Sequence, residues 1–152
     1  MPSPIPAAQK TLLIVEDEIL PAMALRDELQ DAGYVVMDLT KRHGEAIGAA
    51  KDCKPDLALV NIKLQGQDTG IDIARDLKAM GIPVVFISGQ VSRAQTARTD
   101  AIASFPKPYS TKQMAAAVGY LLARLAGDTS LERPDGLEVF EDELEASAAA
   151  AV

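Results

Sequence analysis

What most constrains this chain is a rhythm of five short apolar runs, at residues 12–15, 34–39, 57–60, 84–87 and, more weakly, 101–105, separated by stretches with helical spacing. Several runs are continuous rather than alternating: LLIV, LALV, VVFI. A strand that is apolar at every residue needs cover on both faces, which is the situation inside a parallel sheet flanked by helices. The intervening segments supply those helices. Met114, Val118, Leu121, Leu122 and Leu125 fall on one face of a helix that begins near Ser110. Leu25 and Leu29 do the same in a helix with Pro21 in its first turn and Gly33 just past its end. Ile73, Leu77 and Met80 mark a third, stopped by Gly81 and Pro83. The segment 92–100, SRAQTARTD, has helix formers but no large apolar residue. A helix there anchors only through alanines and is expected to be short and mobile.

Strands alternating with helices and joined by right-handed crossovers predict an α/β fold. The expected version is the flavodoxin-like, doubly wound (βα)5 arrangement, with a five-stranded parallel sheet in the order 2-1-3-4-5. Its chemistry belongs at the carboxyl ends of the strands, beside the switch between the first and third.

Composition narrows the function classes. With one cysteine, Cys53, and one histidine, His43, the chain has no internal disulfide and no thiolate or imidazole cluster for zinc. No apolar stretch approaches the roughly 20 residues of a membrane span, and the first ten residues lack a basic start and a hydrophobic run. A cytoplasmic protein with no membrane partner is expected. The net charge of −7 is unevenly placed: residues 127–152 hold eight acids against Arg133 alone, leaving fourteen charges of each sign in residues 1–126. A neutral body with an acidic tail offers no footprint for nucleic acid. The expected organisation is a disordered segment at 1–9, one domain at 10–126 and an acidic tail at 127–152. A second catalytic or DNA-binding domain is not expected, so the domain would stand alone.

Polar residues terminate the apolar runs. Glu16-Asp17-Glu18 follows the first, Asn61 ends the third, Ser88-Gly89 ends the fourth, and Pro106-Lys107-Pro108-Tyr109 follows the fifth. Clustered carboxylates repel one another unless a cation sits among them, and oxygen ligands suit Mg2+. Acids after a strand also serve as helix N-caps, so these three residues alone leave both readings open. Together, one edge of the predicted sheet would gather acids, an amide, a hydroxyl and an ammonium.

In that order the segments VEDE, PDLALVNIKL, VVFISG and FPKPY, within residues 11–126, resemble the receiver domains of bacterial response regulators, most of all the single-domain receivers of alphaproteobacteria. The resemblance implies that Glu16 and Asp17 hold Mg2+ with the backbone carbonyl of Lys63, that Ser88 senses a phosphoryl oxygen, and that Lys107 neutralises its charge. Asn61 would occupy the phospho-acceptor position, which in the family is an aspartate. A carboxylate attacks phosphorus to give an acyl phosphate, and an amide offers no comparable nucleophile. Phosphorylation at Asn61 is therefore not expected. Its carbonyl oxygen remains a potential metal ligand, in a pocket one negative charge poorer and so weaker for Mg2+. The amide is compatible with a natural pseudo-receiver and with an aspartate replaced to block the reaction.

A second departure lies three residues before Lys107, where the family carries an aromatic ring and this chain has Ser104, with Phe105 next to it. Either the fifth strand is shifted, making Phe105 the switch residue, or the aromatic half of the switch is missing. The implied partners are a histidine kinase or a histidine phosphotransferase. The alternative is an enzyme on the same fold, an aspartate-nucleophile phosphatase or a nucleotide-binding protein. That reading lacks a glycine-rich phosphate loop after the first strand and a second nucleophile at the strand ends, so no enzyme is expected. In the tail, Leu137, Phe140 and Leu144 form an apolar stripe on an acidic background, able to form a short helix. It is read either as solvated chain or as a segment for partner docking or self-association, with 91–105 the surface it would cover in its own or a second copy.

Overall fold

The computed structural model describes residues 10–67 and 69–150. The disorder expected of residues 1–9 lies outside the described residues. The chain runs β1 (Thr11–Val15), α1 (Ile19–Asp31), β2 (Val35–Val36), α2 (His43–Asp52), β3 (Leu57–Asn61), α3 (Thr69–Ala79), β4 (Val84–Ser88) and α4 (Val91–Thr96). A 3-10 turn at Arg98–Asp100 leads to β5 (Ala103–Pro106), α5 (Thr111–Leu125), β6 (Glu138–Val139) and α6 (Glu141–Ala150).

The sheet order is β2-β1-β3-β4-β5-β6. Its first five strands are parallel and follow the order that the alternating pattern predicts, and the flavodoxin-like fold is as expected. The sixth strand is an addition that the apolar runs did not signal. It pairs antiparallel with β5, Ala103 opposite Val139 and Ser104 opposite Glu138. Residues 137–144 of the tail are therefore built into the sheet edge and its cores, while most of 127–136 is exposed chain leading to them.

The continuous strands divide their residues between two cores. Leu12, Ile14, Leu57, Leu59, Val85 and Ile87 meet Leu25 and Leu29 of α1 and Met114, Val118 and Leu121 of α5 on one face. Leu13, Val15, Ala58, Val60, Val84 and Phe86 meet Ala46 of α2, Ile73 and Leu77 of α3 and Ala94 of α4 on the other. Each such leucine, isoleucine or phenylalanine contributes roughly 1.5–3 kcal/mol on burial. The two-sided demand explains why β1, β3 and β4 are apolar between their ends and turn polar where they leave the sheet.

Helix ends follow local chemistry. Ser110 and Gln113 form a capping box that starts α5, the Ser110 hydroxyl accepting from the Gln113 N–H at 3.0 Å and the Gln113 side chain accepting from the Ser110 N–H at 3.1 Å. Gly33 closes α1 at a φ of 100°, a left-handed conformation that a side chain would strain. Helix α4 is as short as its composition implies, six residues anchored by Ala94, with Ala97 buried just after it. The second strand is shorter than the apolar run 34–39 suggested. It lies at the edge of the sheet with Val35 half-exposed, so nothing requires the run to be fully paired. No helix among the described residues is long and apolar enough to cross a membrane.

Candidate functional site

The carboxyl edge of the sheet is built around Glu16. The residue follows β1, and its backbone N–H donates to the Thr40 carbonyl at 2.9 Å while the Thr40 hydroxyl donates to Ile14 at 2.8 Å. This fixes the chain leaving β1 against the loop after β2. The Glu16 carboxylate is 6% exposed yet well partnered. Its Oε2 accepts from the Asn61 side-chain nitrogen at 3.0 Å and from the Glu18 N–H at 3.2 Å, and its Oε1 lies 3.7 Å from Lys107 Nζ. Asn61, 3% exposed, thus reaches across from the end of β3, and Lys107 from beyond β5.

Asp17 sits on the same edge and points at the loop after β3. Its Oδ2 accepts from the Gln65 N–H at 2.8 Å, which requires Gln65 to take a φ of 51°. Lys63 is exposed in that loop, two residues past Asn61. Ser88 ends β4 as expected, but its hydroxyl is occupied within its own loop, donating to the Gln90 carbonyl and accepting from the Gln90 N–H, both at 2.9 Å. The Lys107 N–H donates to the Ser88 carbonyl at 2.9 Å and ties the last two parallel strands together at their tips. Glu16 therefore contacts Asn61 and Lys107 directly and interacts with the Asp17 carboxyl beside it, Ser88 shares their edge, and Phe105 does not join them.

The placement of Phe105 follows from strand parity. Pairing of Ile87 with Phe105 and of Phe86 with Ser104 leaves the strand unshifted, with Ser104 in the position where a switch aromatic was sought. Phe105 belongs to the core under α1 and α5, where its ring meets Tyr109 edge to face at 6.1 Å. A coupling of Ser88 to Phe105 is thus not built into this arrangement.

Three further residues shape the site. Gly70, early in α3, lies so close to β3 that a Cβ there would fall 2.1 Å from the Asn61 carbonyl oxygen, and its N–H donates to Ile62 at 2.9 Å. Only glycine permits this approach, which holds the loop after Asn61 tight. Thr40 braces Glu16 from outside any motif. Tyr109 lines a hollow together with Glu16, Pro21, Lys107 and Pro108, and the FPKPY segment was the available hint.

Burial pushes the Glu16 carboxyl above the usual range, against the opposing pull of the Glu18 N–H and Lys107. For Asp17 burial acts in the same direction, but the Gln65 N–H and the Glu16 carboxyl outweigh it and hold the group low. The Tyr109 phenol is pushed up to about 12, by burial first and then by the Glu16 charge. The edge thus combines two unequal carboxyls, one ammonium and an amide.

A hard divalent cation asks for several oxygen ligands. Among the described residues no group of three or more His, Cys, Asp or Glu side chains is gathered to hold one. Glu16 and Asp17 offer carboxylate oxygens, but Asn61 turns its N–H2 toward Glu16, presenting hydrogens where a ligand would present oxygen. Only with the amide rotated, and its hydrogen bond to Glu16 given up, would Asn61 add an oxygen to those of Glu16 and Asp17.

Against known families, residues 12–119 match the response regulator receiver domain. The chain is 32% identical over 132 residues to the transcriptional regulatory protein PdtaR of Mycobacterium tuberculosis, taking in 83% of this chain and 63% of PdtaR. It is 32% identical over 114 residues to the phyllosphere-induced regulator PhyR of Methylorubrum extorquens, taking in 73% of this chain and 43% of PhyR. It thus spans less than two thirds of either relative's length. Among solved structures it is similar to the signal receiver domain of a modulated diguanylate cyclase from Desulfovibrio desulfuricans, with a TM-score of 0.67 and 31% identity over 76% of this chain and 95% of that one.

Proposed function

This chain belongs to the response regulator receiver family, and from that premise we propose that it serves two-component signalling as a receiver that binds a histidine kinase or a histidine phosphotransferase without taking a phosphoryl group at Asn61. The observation that carries this reading is the bond from the Asn61 amide to the buried Glu16 carboxylate. An aspartate in that place would attack phosphorus with a charged oxygen, form an acyl phosphate and release the donor's leaving group. The amide nitrogen has its lone pair delocalised into the carbonyl, and its hydrogens are directed at Glu16. By this reading Asn61 keeps the acceptor's place at the end of β3 but exchanges the nucleophile for a donor to Glu16.

The remaining residues then have binding roles. Lys107 neutralises part of the charge of Glu16, the role it would have toward a phosphoryl group, and Ser88 holds the loop that opens α4. Mg2+ would be held by Glu16, Asp17, the Asn61 amide oxygen and the Lys63 carbonyl, and would offset the carboxylate charge when bound. With one carboxylate fewer than a receiver that carries aspartate, affinity is reduced. The site works in the cytoplasm, by the same reading.

The test is chemical. Acetyl phosphate with Mg2+ leaves the mass of this chain unchanged, while Asn61→Asp gains one acid-stable, base-labile phosphoryl group by intact-mass spectrometry. A covalent adduct on the unsubstituted chain would show that the acceptor lies elsewhere.

A further inference from the structure

Without β6, the last strand of the sheet would be β5, and its outer row of N–H and C=O groups would be open to any extended chain. The C-terminal segment closes that edge. It pairs with Ala103 and Ser104, and the Phe140 N–H donates to the Ile102 carbonyl at 2.8 Å. Three side chains then straddle the edge. Leu137 and Leu144 enter the core beside Tyr120, Leu121 and Leu122 of α5, and Phe140 enters the opposite core beside Ala94, Ala97 and Ala101. None of the three is more than 3% exposed.

The rim is charged to match. Arg98 stacks on the Phe140 ring at 5.2 Å, Arg124 pairs with Glu141 at 2.7 Å, and Lys78 pairs with Glu143 at 2.9 Å. The Gln95 side chain donates to Glu138. The body therefore contributes cations and an amide from α3, α4, the 3-10 turn and α5, and the segment contributes acids. The connection behaves differently. Among the described residues, none from Thr129 to Asp135 makes a hydrogen bond or ion pair to the body, and Leu131 is half-exposed. A well-anchored segment thus hangs on a loosely attached linker.

We propose that the β5 edge with its basic rim is a docking groove for an acidic strand-and-helix segment of another protein, bearing apolar residues at the spacing of Leu137, Phe140 and Leu144, and that the chain's own C-terminal segment keeps it closed as a tethered ligand. Main-chain pairing supplies affinity, and the three apolar pockets with the arginine and lysine rim supply selectivity. Tethering gives the segment an effective concentration on the order of millimolar, so a free competitor enters only by binding tightly or after the tether is released. The inference is independent of the chemistry at Asn61.

The test uses the full chain with a specific protease site inserted between Ser130 and Leu131, cut after folding, and a labelled peptide of residues 134–150 as the probe. Once cut, the chain takes up the labelled peptide one for one as its own segment exchanges out. The uncut chain takes it up at least roughly tenfold more weakly. The same peptide carrying Phe140→Ala binds the cut chain roughly a hundredfold more weakly. A cut chain that sheds its own segment and takes up no peptide overturns the proposal, as does equal uptake by the cut and uncut forms. Circular dichroism of the cut chain before exchange separates loss of binding from loss of fold.

Discussion

The sheet has two edges of interest, and they are held by opposite means. At the carboxyl edge, Glu16 gathers an amide, a backbone N–H and an ammonium, so a few buried polar contacts set the arrangement. At the lateral edge, Leu137, Phe140 and Leu144 are buried and the polar contacts lie outside as a rim. Buried polar groups determine what chemistry an edge performs, because leaving any one unpaired is costly. Buried apolar groups determine whether an edge is covered at all. The two should therefore separate under mutation, the first changing reactivity and the second changing order.

The largest expected effect is at the lateral edge. Phe140→Ala deletes a fully buried ring and its contact with Arg98, at a cost of about 3–5 kcal/mol. Amide exchange should rise through β6 and α6 and at Ile102 to Ser104, while β1 and β3 stay protected. An equal rise across all strands would mean that the two edges unfold as one unit.

Gly70→Ala is expected next, at about 1–3 kcal/mol or somewhat more, since the new methyl would meet the Asn61 carbonyl and force α3 away from β3. In an Asn61→Asp background it should also slow phosphorylation by acetyl phosphate. Unchanged stability and rate would show that the close approach has slack.

How much was legible beforehand follows the same division. Strands buried on both faces leave continuous apolar text, so β1, β3 and β4 were readable, and polar residues at their ends marked the carboxyl edge. Phe105 was not placed because which face a strand residue takes depends on register with β4, which a four-residue strand does not reveal. The sixth strand was unreadable for a different reason: two residues, Glu138 and Val139, carry no period, and their pairing follows from the burial of Leu137 and Phe140 on either side of them. The apolar stripe was visible, but its groove is assembled from α3, α4, β5 and α5. Gly70 and Thr40 act through backbone approach and a loop contact, which no local pattern encodes.

A smaller effect sharpens the account of the polar edge. Asn61→Asp replaces the donor 3.0 Å from Glu16 with a second carboxylate. Like charges at that range repel, so without Mg2+ this variant should lose about 1–3 kcal/mol. Added Mg2+ should restore it, and should stabilise the variant at lower concentrations than the unsubstituted chain. Thermal unfolding against Mg2+ measures both, and identical Mg2+ dependence in the two proteins would remove the metal from the proposed site.

The smallest effect belongs to the rim. The Arg124 side chain, bonded to Glu141, holds that carboxyl below its ordinary value of 4.5 despite a little burial acting the other way. A carboxyl whose folded pKa is depressed stabilises the folded form above its unfolded pKa, and that contribution is lost as pH falls through the folded value. Closure of the lateral edge should therefore be unaffected at neutral pH and weaken only below about pH 4.5. Glu141 is half-exposed, so solvent screens the pair and its share should stay under about 1 kcal/mol, falling further with salt. Carboxyl-carbon NMR resolves the group directly: the Glu141 midpoint should lie below 4.5 and move back toward it in Arg124→Gln. A midpoint that ignores that substitution would remove the Arg124–Glu141 pair from the attachment and leave it to the apolar anchors, the main-chain pairing and the rest of the rim.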